Sequence, residues 1–199
     1  MEETLWKSPI ILEGKFVRLE PLSLAHVSAL AEIGCEESIW RWMLYGQIRT
    51  EADMLEWVHK LLERQAAGTD LPFAVVLPGS GKAVGATRYM EMRPEQRGLE
   101  IGGTWYGLEF QRTAVNTECK YLLLEHAFER LDCIRVQFKA DLRNERSWRA
   151  LERIGAKHEG ILRKHTIRPD GVVRDSIYYS IIDSEWNGVK ARLQGMLGW

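Results

Sequence analysis

Apolar and polar residues change period several times along the chain, and each change marks an element. Residues 15–20 alternate, with Phe16, Arg18 and Glu20 opposed to Val17 and Leu19, which predicts a half-buried strand closed by Pro21. After Ser23, a capping residue, Leu24, Val27, Leu30, Ala31 and Ile33 fall at helical spacing, and Gly34 is expected to stop that helix. Residues 36–49 carry Trp40, Trp42 and Tyr45 without a clean period and read as a short helix and loop, with the tryptophans in packing or at a substrate mouth. Thr50 with Asp53 makes a capping-box start, and Met54, Leu55, Val58, Leu61 and Leu62 supply the stripe of the next helix. A short apolar run at 73–77, a Pro78-Gly79-Ser80-Gly81 loop and a return run at 83–92 predict a hairpin; a polar turn then leads to a strand at 99–106.

Beyond an irregular stretch at 107–113, a long helical pattern starts at Ala114. Residues 133–141 alternate again, with Ile134, Val136, Phe138 and Ala140 on one side. A strand, a helix and a strand need a crossover, so 99–106 and 133–141 are expected to run parallel. Asn144 is a good N-cap for a helix with Trp148, Leu151 and Ile154 inside, and Gly155 ends it. Pro169-Asp170-Gly171 turns a closing hairpin of 157–168 with 172–182, and Trp186, Val189, Leu193 and Leu197 mark a final helix. The first 13 residues read as a lead-in. The expectation is an α/β (α+β) fold in one domain over residues 1–199, with a mixed, mostly antiparallel sheet of six to seven strands flanked by helices.

Composition narrows the classes. A formal net charge of −1 gives no bulk electrostatic reason for a nucleic-acid or membrane partner. No run approaches the ~20 apolar residues of a membrane span. The start Met1-Glu2-Glu3-Thr4 is acidic rather than signal-like. Cys35, Cys119 and Cys133 are odd in number and widely spaced, which speaks against a disulfide framework or a metal site and for a cytoplasmic setting.

The candidate chemistry gathers between Leu99 and Arg130. A strand that breaks at Gly102-Gly103 and feeds a helix start offers unpaired N–H groups and the positive end of a helix dipole, the usual host of a phosphate. An ordinary β-turn-α connection has the same local pattern.

Three blocks widen the view: Gln111-Arg112-Thr113-Ala114-Val115-Asn116; the helix running from there through Thr117 to Glu129; and Asn144-Glu145-Arg146-Ser147 leading to Ile154-Gly155-Ala156. In this order they resemble the GNAT N-acetyltransferase superfamily, and more narrowly its ribosomal-protein N-terminal acetyltransferase branch, over nearly the whole chain. Ala114 departs from the family's usual glycine, and Asn116 stands where a small residue is common. The resemblance implies a sheet splayed between its fourth and fifth strands and acetyl-CoA laid across the splay, with no metal. Gln111, Arg112, Thr113, Ala114, Val115, Asn116 and Thr117 would hold the pyrophosphate, and Asn144 would lie against the cofactor. Gly102, Gly103 and Thr104 would present backbone N–H groups to the pantetheine and thioester carbonyl.

Transfer to an amine needs a group to take a proton. Glu100, polar between Leu99 and Ile101, lies opposite the apolar side of its strand and matches a carboxylate that several family members use as base; an exposed strand glutamate is the bland alternative. Ser147 matches the family position that meets the departing thiolate. Tyr178 and Tyr179 are weaker candidates, one of them expected in the core. His126, His158 and Cys119 read as structural. The implied activity is acetyl transfer to a primary amine, on a protein N-terminus or a small molecule, with a homodimer compatible. Competing readings are a non-catalytic acyl-CoA-binding module and an interaction domain using Trp40 to Tyr45.

Overall fold

The computed structural model describes residues 6–199, so the acidic start lies outside it. Eight strands form one sheet: β1 (Leu12–Glu13), β2 (Arg18–Pro21), β3 (Leu71–Val76), β4 (Ala83–Arg93), β5 (Gly98–Tyr106), β6 (Arg135–Asp141), β7 (Lys157–Ile167) and β8 (Val173–Ile182), in the order β1-β2-β3-β4-β5-β6-β8-β7. Neighbours are antiparallel except β5 and β6, which pair in parallel only from Gly98↔Arg135 to Glu100↔Gln137. Beyond Glu100 the two strands part, which is the expected splay. The eighth strand is β1, inside the presumed lead-in; two residues are too short to show an alternation.

The helices are α1 (Val27–Gly34), entered through a 3-10 turn at Leu24–His26, then α2 (Glu37–Trp40), α3 (Glu51–Ala66), α4 (Ala114–Glu129), α5 (Glu145–Ile154) and α6 (Asp183–Leu197). Strand alternation feeds two cores. Leu19, Val75, Val84, Tyr89, Leu99, Ile101, Val136 and Phe138 pack with α4 and α6. Ala74, Val76, Ala83, Ala86 and Trp105 pack with α1, α2 and α3.

The predicted capping box closes as expected: Thr50 Oγ1 accepts from the Asp53 N–H, and the Asp53 carboxylate accepts from the Thr50 N–H. On α3 the stripe is rotated, since Leu55 is exposed and Trp57 is buried instead. Gly34 is the last residue of α1 rather than its left-handed cap; a Cβ there would come within 2.7 Å of Met54 Cε and Trp105 Cη2, so close packing demands the glycine. Ile134 is exposed because β6 begins one residue later.

Helix α4 is buried on almost every side. Glu118, in its second turn and fully buried, accepts from the backbone N–H groups of Lys15 (2.8 Å), Phe16 (2.6 Å) and Val17 (2.6 Å). One carboxylate thereby ties the turn between β1 and β2 to the central helix.

Candidate active site

The break in β5 is a bulge. Ala86 pairs with Trp105 and Arg88 with Gly102, so Thr87 alone faces Gly103 and Thr104. Gly103 takes the left-handed conformation, with φ +59°. A bulge leaves backbone groups out of the ladder where β5 and β6 separate. Thr104, expected as a cofactor contact, turns its side chain toward α4: its hydroxyl accepts from Lys120 Nζ at 2.9 Å and shares a 2.8 Å hydrogen bond with Thr87. Burial pushes the Lys120 ammonium down to about 8.

The approach to α4 runs through a 3-10 turn at Leu108–Phe110 and a left-handed Arg112 (φ +62°) to Thr113. Thr113 caps the helix, its hydroxyl accepting from the Val115 N–H at 3.3 Å. The positive φ falls on Arg112 and not on Ala114, which is the first helical residue, so alanine fits there without strain. Gln111 donates to the Tyr106 carbonyl and accepts from Arg146, linking the loop to α5. The Asn116 amide oxygen accepts from the Tyr106 hydroxyl at 3.2 Å. Thr117 is buried and accepts from Arg153 of α5, so its side chain faces inward. Asn144 caps α5 by accepting from the Ser147 N–H at 3.3 Å, which places Ser147 half-buried in the first turn.

Glu100 is buried, with 1% exposure, not the exposed strand glutamate of the bland reading. One carboxylate oxygen lies 3.2 Å from Lys139 Nζ and the other accepts from Gln137 at 3.0 Å. A Cβ on Gly102 would lie 3.2 Å from the first oxygen, so the carboxylate lies against the bulge. Two occupied acceptor positions leave a carboxylate with others for an amine proton.

Around it the sheet gathers polar side chains that no local period announces. Ring contact brings His165 to Tyr178, and His165 Nδ1 lies 3.0 Å from Ser176 Oγ. Burial lowers the His165 pKa, with the charges of Lys139 and Arg174 adding to it. Burial first, then Glu100, raises that of Tyr178. Tyr179 points the other way into the core and donates to Glu152, so Tyr178 alone of the pair belongs to the site. At the rim Trp42 is ringed by Arg41, Arg143 and Arg168, whose guanidinium carbons lie 5.0, 5.3 and 5.7 Å from its ring. Trp40 is core.

The structural readings of His126 and Cys119 agree with their burial, which pushes the imidazole down to about 4 and the thiol up to about 12. Lys139, Gln137, His165 and Arg174 were not singled out from the sequence. Strand alternation places Lys139 and Gln137 on the face opposite Val136 and Phe138, the one signal that pointed to them. Among the described residues no group of three or more His, Cys, Asp or Glu is placed to hold a metal ion, and no helix is long and apolar enough to cross a membrane.

The chain is similar to known proteins in sequence and in fold. The family described as "Acetyltransferase (GNAT) domain" matches residues 17–157. A Bacillus subtilis (strain 168) protein named "Putative ribosomal N-acetyltransferase YdaF" is 30% identical over 173 residues, covering 86% of this chain and 92% of that one. The crystal structure of a GCN5-related N-acetyltransferase from Brucella melitensis superposes with a TM-score of 0.88 at 31% identity, covering 96% of this chain and 86% of that one. Mycobacterium smegmatis RimJ, solved in complex with CoA-disulfide, shares the fold with a TM-score of 0.81 at 20% identity, each chain covered to 96%. The family match spans the bulged β5, its parting from β6 and the capped start of α4, and the chain belongs to the GNAT acetyltransferases.

Proposed function

We propose that the protein is an N-acetyltransferase that moves the acetyl group of acetyl-CoA to a primary amine by direct attack within a ternary complex. The observation that carries the reading is the buried carboxylate of Glu100 lying against the Gly102–Gly103 bulge where β5 and β6 separate. The residues present fit the cofactor. The left-handed Gly103 turns the bulge that takes backbone groups out of the ladder, and the start of α4 combines a helix dipole with N–H groups of Ala114 and Asn116 that no helical bond uses. Acetyl-CoA supplies the acetyl group as an activated thioester.

The chain's own residues do the rest. Backbone N–H groups from Gly102 to Thr104 orient and polarise the thioester carbonyl. Glu100, held by Lys139 and Gln137, takes the proton that the amine sheds as its nitrogen bonds to the acetyl carbon. The Ser147 hydroxyl offers a hydrogen bond to the sulfur as the C–S bond breaks. Asn144 orients Ser147 through the cap of α5. The acceptor class is a protein N-terminus or a small amine; the names of the Bacillus relative and of a Vibrio cholerae structure at 18% identity point to ribosomal proteins for those proteins. Three free cysteines suit a reducing, cytoplasmic setting.

The test combines calorimetric binding of acetyl-CoA with a thiol-release assay over a panel of amines. Glu100→Gln is expected to lower kcat by about 10²–10⁴-fold with acetyl-CoA affinity retained, the usual worth of a general base. Acetyl-CoA binding with no amine turned over would instead identify a non-catalytic CoA-binding module, and turnover unchanged in Glu100→Gln and Ser147→Ala would show that these residues take no part in the chemistry.

A further inference from the structure

Against the same bulge, on the side of α1 and α3, lies a cluster of buried hydrogen-bond donors that the transfer chemistry does not use. Arg88, Trp57 and Trp105 are each 4% exposed. Arg88 Nε and Nη1 and the indole N–H groups of Trp57 and Trp105 have no hydrogen-bond partner. The groups are contiguous: Trp57 and Trp105 meet edge to face at 5.9 Å, Tyr45 packs on Trp57 at 6.0 Å, and the Arg88 guanidinium sits 5.4 Å from the Tyr45 ring centre. Arg88 Nε and the Tyr45 hydroxyl reach within 3.0 and 2.9 Å of where a Cβ on Gly103 would stand, so both are aimed at the bulge. Trp40, in the same cluster, is satisfied by the Gly34 carbonyl.

Charge and valence say what would fill the cluster. Indole and guanidinium groups only donate, so they cannot satisfy one another. Asp70 Oδ2 lies 3.1 Å from Arg88 Nη1 without completing a hydrogen bond, and Arg64 approaches the same oxygen at 4.0 Å. Arg64 is 54% exposed and its charge is screened by solvent, so inside the cluster Arg88 has only the imperfectly bonded Asp70 as counter-ion. Leaving buried donors without an acceptor is costly. A carboxylate offers about four acceptor positions, matching the number of open donors, and its charge strengthens each hydrogen bond it accepts from them.

We propose that Arg88, Trp57 and Trp105, with the Tyr45 hydroxyl, form a subsite for a carboxylate on the acceptor, so that the amine acetylated belongs to a small amino-carboxylic acid. The subsite rests on the acetyl-transfer reading above and narrows it. It adjoins Gly103, and Glu100 lies against Gly102 one residue away, so one small molecule can place its carboxylate in the first and its amine by the second.

The test varies the acceptor on the unmodified protein. A set of amino acids with different side chains is compared with the α-carboxamide and the decarboxylated amine of each, reading kcat/KM. For the preferred side chain the amino acid is expected to exceed both derivatives by tenfold or more. Trp105→Phe and Trp57→Phe, which each delete one donor and leave a small cavity, are expected to narrow that ratio at least threefold through the acceptor KM. Arg88→Lys keeps a cation beside Asp70 and is expected to do the same. A decarboxylated amine used as well as its amino acid overturns the proposal, and so does equal use of the carboxamide, which would show an oxygen read without its charge. A ratio unmoved by all three variants overturns it too, leaving ordered water as the partner of these donors. Acetyl-CoA bound with no amine of any kind acetylated would instead remove the underlying function, and the subsite with it.

Discussion

Replacing Glu118 by glutamine removes a negative charge that three backbone N–H groups share. The bonds are 2.6–2.8 Å long and the carboxylate is fully buried. Hydrogen bonds to a charged group each contribute about 1.5–3 kcal/mol net, and a donor left unmade inside the protein costs about 1–3 kcal/mol. Glutamine keeps one acceptor oxygen, so whichever way its amide turns, at least one N–H of Lys15, Phe16 or Val17 faces an NH₂ group. Weakening of the retained bonds adds to that, and the expected loss is about 3 kcal/mol. For a domain of this size it lowers Tm by about 6–12 °C. Urea unfolding followed by circular dichroism measures it as a shift in midpoint at constant m. Gly14 supplies an internal control. A Cβ there would stand 2.5 Å from Glu118 Cδ and 2.8 Å from the Val17 carbonyl oxygen, so Gly14→Ala is expected to destabilise the native protein and to cost less in a Glu118→Ala background, where only the backbone clash is left. A loss below about 1 kcal/mol in Glu118→Gln, or additive effects in the double variant, would refute the clamp as a source of stability.

Lys120 carries a pH signature. Its pKa is about 8 in the fold against an ordinary 10.5, so the unfolded chain binds the proton more tightly, and stability gained from this group rises with pH between those values. Lys120→Met is expected to be more stable than the native protein below pH 8 by about 3 kcal/mol, the advantage fading toward pH 10.5; parallel stability curves for the two proteins would contradict this. Gly103→Ala places a methyl against the Tyr45 hydroxyl and Arg88 Nε in a left-handed backbone, which costs about 1–2 kcal/mol before any clash. It is expected to lower both Tm and acetyl-CoA affinity, and a variant with native affinity would show that the bulge does not approach the cofactor.

Periodicity was enough to find most elements because it is a one-dimensional record of burial. The final helix buries the four residues its spacing marks, Trp186, Val189, Leu193 and Leu197, and the Thr50–Asp53 box closes as its residue types require. Where packing departs from a one-sided face, the record fails. The α3 stripe turns to bury Trp57, and β1 is too short for any period. The site divides in the same way. Glu100, the paired glycines and the helix start at Ala114 lie close together in the chain, and their pattern announced them. Lys139 and Gln137 reach Glu100 from the next strand, while His165 and Arg174 come from the closing hairpin.

The sequence by itself determined the order of strands and helices from β2 onward, the break in β5, the capped helix after it and the family that these blocks resemble, since each depends on residues within a few positions of one another. Only the tertiary structure decided that Glu100 is buried beside Lys139, that the positive φ falls on Arg112 and not on Ala114, and that Arg88, Trp57 and Trp105 meet at Gly103. Those facts depend on strand register and on helices laid across the sheet, and contacts between residues distant in the chain leave no local period to read.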